Sequence, residues 1–332
     1  MSRFAAFVLL AALAAHAAET PELDVIPAPK KVTVVRAGQF EVDEYTCVLV
    51  SGVSTWGTRV AAREVQLGLR ERFSIDVPIL RIAESRKGGP HKAIWVVEPR
   101  IVVGPKTTID AKGLTSVDQA ERGGLLMPEM TIGVKGLTFS PEMVHEGYFI
   151  RVDAAETVIH GASDAGSFYA AQTLVKLFRP PRPKTLFRRA CGPTIPSLWI
   201  ADWPSEDIRT VPVTFPVPSK PEAAEAFLVA AARYGYNGIT RSWLPPDEAV
   251  RRRLDSAVQY YPIRLVEAPR RLGTSPLERL AAAAAERGDL PFALAAAGEV
   301  AWGLPDPDPE AFRLRFARET GADPATLPPA KE

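Results

Sequence analysis

The sequence predicts an α/β protein in two parts, an α+β N-terminal domain followed by a partial (β/α) barrel-like region. Three observations carry this. Short β-branched runs alternate with stretches whose apolar residues recur at helical spacing. From Ile208 onward the alternation becomes strand, helix, strand, helix, strand, the unit of a parallel α/β architecture. A closed eight-stranded barrel takes roughly 250 residues, about twice the length of chain beyond Ile208, so the expectation is a truncated barrel.

The chain opens with Met1-Ser2-Arg3-Phe4, an apolar run from Ala5 to Ala14, and Ala15-His16-Ala17. One positive charge, a short apolar core and an A-x-A site read as a secretory signal peptide over 1–17, cleaved near Ala17. The apolar run is about half of the roughly 20 residues that span a bilayer, and charges or prolines interrupt every later apolar stretch. A periplasmic or secreted protein with no membrane partner is therefore expected. Lys and Arg number 40 against 39 Asp and Glu, and 46% of residues are hydrophobic. A net charge near zero provides no electrostatic footprint for nucleic acid.

In the expected N-terminal domain, 22–179, Lys31 to Val35 and Cys47 to Val50 read as strands. Val60, Ala61, Val65, Leu69 and Phe73 recur at helical spacing, and Ala93 to Val97 returns to strand character. The segment 105–142 is Gly- and Pro-punctuated and reads as a long loop or insertion. Glu146 to Val152 and Glu156 to Gly161, separated by a short polar turn, read as a hairpin. Ser163-Asp164 then opens a helix with Phe168, Ala171, Val175 and Phe178 on one face, stopped by Pro180-Pro181. Pro, Arg and Lys dominate the next stretch, so 180–206 is read as a linker leading into the barrel.

In the barrel-like region, 207–332, Ile208 to Phe215, Asn237 to Thr240 and Ile263 to Val266 read as strands. Pro221 to Tyr234 and Asp247 to Tyr261 read as the helices between them, and Glu310 to Thr320 as a terminal helix. Three strands without closure leave exposed edges and apolar faces. Either homo-oligomerisation or the Ala-rich stretch Leu277 to Ala297 folding over the gap is expected to cover them. Cys47 and Cys191 are the only cysteines. A disulfide between them and a buried strand thiol at Cys47 are both open readings.

Four motifs in order carry a family resemblance: Ile26-Pro27-Ala28-Pro29-Lys30; Glu146-Gly147-Tyr148; Gly161-Ala162-Ser163 through Gly166-Ser167-Phe168-Tyr169-Ala170-Ala171-Gln172-Thr173-Leu174; and Ile195-Pro196 with Ala201-Asp202-Trp203-Pro204. Together they resemble the N-terminal region of glycoside hydrolase family 20, the β-N-acetylhexosaminidases. The resemblance implies a zincin-like domain that binds no zinc and carries no catalysis. His145-Glu146 lacks the second histidine four positions on, and His91 and His160 have no ligand spacing, so neither a metal nor another cofactor is expected.

The same resemblance implies what the enzyme half would need. The sugar's own acetamido group attacks, a Glu protonates the leaving oxygen, and the adjacent Asp orients the acetamide. Such an acid sits buried at the carboxyl end of a barrel strand with a raised pKa. Of the two Asp-Glu pairs, Asp43-Glu44 precedes an N-terminal strand. Asp247-Glu248 reads as a helix cap with a dipole-complementing neighbour. No catalytic residue is assigned. Arg209 matches the family's first-strand arginine, which would grip sugar hydroxyls, but Thr210 and the run Pro212 to Pro218 depart from the pattern after it. Ala301-Trp302-Gly303 through Phe312 resembles a segment near the end of several barrel glycosidases.

The leading expectation is an exported glycosidase-like protein, with an N-acetylhexosamine-containing glycan as its partner and its hydrolysis lost or unproven. The alternatives are an active divergent β-N-acetylhexosaminidase and a non-catalytic carbohydrate-binding or interaction module using Arg209, Trp199, Trp203 and Trp243.

Overall fold

A computed structural model of the protein describes residues 23–51, 54–81, 92–97, 141–183, 191–216, 220–240, 244, 247–267, 272–273, 275–303 and 308–329. The leader, the segment 105–140 and Trp243 lie outside them.

The first half is built on seven strands: β1 (Lys31–Glu41), β2 (Thr46–Val50), β3 (Ile79–Arg81), β4 (Lys92–Val97), β5 (Tyr148–Val152), β6 (Glu156–Gly161) and β7 (Thr194–Asp202). They form one mixed sheet in the order β1-β7-β5-β6-β4-β2-β3. The β1/β7, β7/β5 and β5/β6 pairs are antiparallel, and β6/β4, β4/β2 and β2/β3 are parallel. The expected hairpin is the β5/β6 pair. Side chains alternate along each strand. Val48, Val50, Ile94, Val96, Ile150, Ile159 and Ile200 turn to one face and share a core with Val65, Leu69, Phe168 and Leu174. Those last four come from α1 (Trp56–Phe73) and α2 (Asp164–Leu177). The opposite face carries a smaller cluster of Cys47, Leu49 and Ala93.

Both helices begin on side-chain caps: Thr55 accepts from Thr58 N and Ser163 from Gly166 N. α1 ends at Ser74, whose φ of 57° is left-handed. The two helices approach closely because α1 carries glycines at the crossing. A Cβ at Gly68 would lie 2.3 Å from Val175 Cγ1.

β7 corrects the linker expected over 180–206. Its buried Ile195, Leu198 and Ile200 were obscured by Pro193, Pro196 and the cationic stretch before it, yet it lies between β1 and β5 as an interior strand. Pro196 is accommodated beside the irregularity in β1 between Val34 and Gln39, where the ladder is already interrupted.

The second half contains α3 (Pro221–Arg233), β8 (Gly238–Thr240), α4 (Glu248–Val258), β9 (Arg264–Val266), α5 (Pro276–Glu286), α6 (Leu290–Trp302) and α7 (Pro309–Thr320). The strand expected over Ile208 to Phe215 is reduced to a parallel bridge, Thr210 to Gly238, because Pro212 has no N–H with which to continue it. β8 pairs in parallel with β9. Thr210, β8 and β9 therefore run side by side in chain order, connected through α3 and α4. Three helices come after β9, and among the described residues no further strand does. The Ala-rich stretch 277–297 forms α5 and α6, whose Leu277, Ala281, Phe292 and Ala296 enter the same core as α1 and α2.

The two halves share that core. Tyr169 meets Trp302 edge-on at 5.1 Å, and Phe168 meets Tyr261 at 5.8 Å. Residues 24–30 run between the halves: Glu319 accepts from Ile26 N at 2.8 Å, Glu299 from Ala28 N at 3.1 Å, and Lys30 Nζ donates to Trp302 O at 2.9 Å. Among the described residues no helix is long and apolar enough to cross a membrane.

Candidate functional site

Arg209 lies one residue before the Thr210 bridge and is wholly buried. Its Nε donates to Gly235 O at 2.6 Å, Nη1 to Glu206 O at 2.6 Å, and Nη2 to Glu146 Oε2 and to the Tyr169 hydroxyl at 3.3 Å. The guanidinium also sits over the rings of Trp302, at 4.9 Å, and Tyr169, at 5.5 Å. Four of its five N–H groups are used in these bonds, and at 0% exposure the side chain presents no surface to a sugar. Arg209 joins the N-terminal domain to the second half.

Glu146 is fixed from two sides. Its second oxygen, Oε1, accepts from Asn237 Nδ2 at 2.9 Å, and Asn237 Oδ1 in turn accepts from Arg209 N at 2.7 Å. Asn237 is itself buried and also donates to Asp207 O at 2.7 Å. Glu146 was visible in the sequence only as part of a motif, and Asn237 only as the first residue of a short strand expected over Asn237 to Thr240.

On the open side of Glu146 lies a cleft of about 400 Å³ lined by Glu142, His145, Glu146, Ala165, Pro204, Asp207 and Arg264. Asp207 precedes the Thr210 bridge and Arg264 is the first residue of β9. The cleft thus opens at the amino ends of the parallel segments. Barrel enzymes place their chemistry at the opposite, carboxyl ends.

Neither Asp-Glu pair provides a buried acid. Asp247 Oδ1 accepts from Ala249 N at 2.7 Å and Val250 N at 3.1 Å, capping α4. Glu248 is 80% exposed beside Arg252. Burial pulls the Asp43 carboxyl up, but hydrogen bonds from Lys92, Thr46 and Tyr45 N hold it below the ordinary range. The carboxyls that are shifted up lie elsewhere. Burial raises Asp202 to about 6 although Tyr148, Lys30 and Trp302 all donate to it, and raises Glu299 to about 7 against the pull of Arg315. Both are sealed, Asp202 at 1% and Glu299 at 0% exposure.

Trp199 lies on β7 opposite Arg151, and Trp203 lies under Lys30 and Lys31. The structure therefore does not gather these tryptophans around Arg209. Cys47 and Cys191 are separate free thiols, and burial raises Cys47 to about 11. Among the described residues no three His, Cys, Asp or Glu side chains converge to hold a metal ion.

The family model described as glycosyl hydrolase family 20, domain 2, matches residues 22–203. No curated protein matches the chain. Among solved structures, the exo-β-N-acetylglucosaminidase of Vibrio harveyi in complex with N-acetylglucosamine is similar at 13% identity and a TM-score of 0.40, covering 65% of this chain and 25% of that one. The β-N-acetylhexosaminidase of Streptomyces coelicolor A3(2) is similar at 17% identity and a TM-score of 0.40, covering 65% and 34%. The chitobiase of Flavobacterium johnsoniae is similar at 15% and 0.45, covering 80% and 37%. The chain spans a quarter to just over a third of the length of these three.

Proposed function

The chain belongs to the family of glycosyl hydrolase family 20, domain 2, and from that membership we propose an exported, glycosidase-like protein in which hydrolysis of terminal N-acetylhexosamine residues has been lost. The N-terminal domain runs through β7 to about residue 203. The region from 207 onward is a partial (β/α) barrel whose first three parallel segments are followed by helices. The observation that carries the reading is the burial of Arg209. The side chain best placed by resemblance to grip a sugar instead holds Glu146 and three further protein acceptors.

Hydrolysis by substrate assistance needs a carboxylic acid that is protonated near neutrality and reaches the glycosidic oxygen. Among the described residues, Asp202 and Glu299 are sealed, Glu319 is engaged by Ile26 N and Lys176, and the adjacent Asp247 and Glu248 are a helix cap and an exposed side chain. Incubation with 4-nitrophenyl N-acetyl-β-D-glucosaminide is expected to release no nitrophenol above the buffer rate. Turnover that disappears in the Asp247→Asn/Glu248→Gln double variant would establish an active divergent enzyme instead. Export is tested separately by the mature N-terminus: mass spectrometry of secreted protein should find Ala18 first, and an intact Met1 leader would refute it.

A further inference from the structure

We infer that the cleft at the amino ends of the parallel segments is a binding site for a small, hydroxyl-rich ligand that carries no negative charge, the chemistry of a neutral monosaccharide or of the terminal unit of a glycan. The site lies away from the carboxyl ends where a barrel would carry out hydrolysis, so the inference stands whether or not the chain turns over any glycoside.

Three features of the site support it. The cleft lies where the two halves meet, a preferred place for small-molecule sites, and its volume of about 400 Å³ lies within their usual range. Its polar groups come from separate stretches of chain: Glu142, His145 and Glu146 from the turn before β5, Asp207 from the segment before the Thr210 bridge, and Arg264 from β9. Carboxylates that accept and a guanidinium and imidazole that donate form the mixed set which vicinal hydroxyls, each both donor and acceptor, pair with.

The third feature is the support behind Glu146. Its two oxygens are held by Arg209, 0% exposed, and Asn237, 1% exposed, while the Glu146 side chain as a whole remains 14% exposed at the wall of the cleft. A buried guanidinium is costly to desolvate. Here that cost goes into fixing the direction of one carboxylate at an open cavity, the arrangement that pre-orients a binding group. Each carboxylate oxygen keeps a further lone-pair direction for a hydroxyl donor. With Glu146 balanced by Arg209, the lining sets Glu142 and Asp207 against Arg264, an excess of one carboxylate that favours a neutral ligand over an anionic one.

The test is a titration of the ¹⁵N-labelled full chain, followed by amide shifts. N-acetylglucosamine up to about 50 mM, a concentration that detects even millimolar affinity, is expected to move amides of residues 142–147, 206–207 and 264. Glucuronate at the same concentration leaves them in place. Glu142→Gln together with Asp207→Asn, two changes on the lining that leave Arg209 and Glu146 paired, should weaken the titration at least tenfold with the remaining spectrum unchanged. Absence of shifts at the highest concentration overturns the inference. So do shifts confined to the carboxyl ends of the strands near Thr240, equal response to glucuronate, or a titration untouched by the double variant.

Discussion

Arg209 and Glu146 form the most consequential pair of residues in the molecule, and removing each should have a different effect. Glu146→Ala leaves a fully buried guanidinium without its counter-charge, for which about 3–5 kcal/mol of stability is the expected loss. Arg209→Met removes the buried charge itself and leaves Glu146 partly solvated and still bound to Asn237, so the loss should be smaller. Urea unfolding midpoints of the two variants check the order. Glu299 makes a second prediction. Its folded pKa of about 7 lies above the ordinary 4.5, so between these values the native state binds more protons than the unfolded one. Stability then falls as pH rises from about 4.5 to about 7 and is flat with respect to this group above that. Asp202, raised from 3.8 to about 6, adds to the same slope at lower pH. Unfolding midpoints measured from about pH 5 to about pH 8 should decline, and Glu299→Gln should flatten the upper part of the decline. None of this was readable from the sequence: Glu299 sits in an Ala-rich helix where burial depends on what folds over it, and Glu146 is indistinguishable from a surface acid until Arg209 is brought from 63 residues away.

Helices were the most legible elements, because five of them are amphipathic or sharply capped: α1, α2, α3, α4 and α7 fall within a few residues of where apolar spacing and stop signals put them. Strands were legible where β-branched runs stand alone, as in β2, β4 and the β5/β6 hairpin. β7 was not, since two prolines, its cationic lead-in and a broken alternation, with Ile195 and Leu198 buried three positions apart, hide a strand that lies between β1 and β5. The Thr210 segment failed in the opposite sense, its β-branched residues promising a strand that Pro212 prevents. At the α1/α2 crossing, Gly68→Ala sets two effects against each other. Alanine favours the helix by about 1 kcal/mol, but its Cβ would fall 2.3 Å from the buried Val175. Overpacking of about 1–3 kcal/mol wins, so net destabilisation is expected. Gly68→Ala with Val175→Ala should recover part of it. Thermal melts of the single and double variants beside the parent chain check both statements.

Across the whole molecule one core runs from the seven-stranded sheet to α7, so the two halves are expected to unfold together. Circular dichroism and tryptophan fluorescence should trace a single coincident urea transition, and two separated transitions would show that the halves are independent. For the same reason a fragment of residues 22–203 should expose Phe168 and Tyr169, which now face Tyr261 and Trp302, and bind a hydrophobic dye that the full chain does not. The strip of residues 24–30 held by Glu299 and Glu319 carries a consequence in time as well as in space. Ile26 and its acceptor Glu319 are 293 positions apart, and ribosomes add about 5–20 residues per second, so roughly 15–60 s of synthesis separates them. For that interval the strip is held only by partners made earlier, Lys176 on Ile26 O and Asp202 on Lys30 N. Closure by Glu299 and Glu319 is thus the last of these contacts to become available as the chain is made.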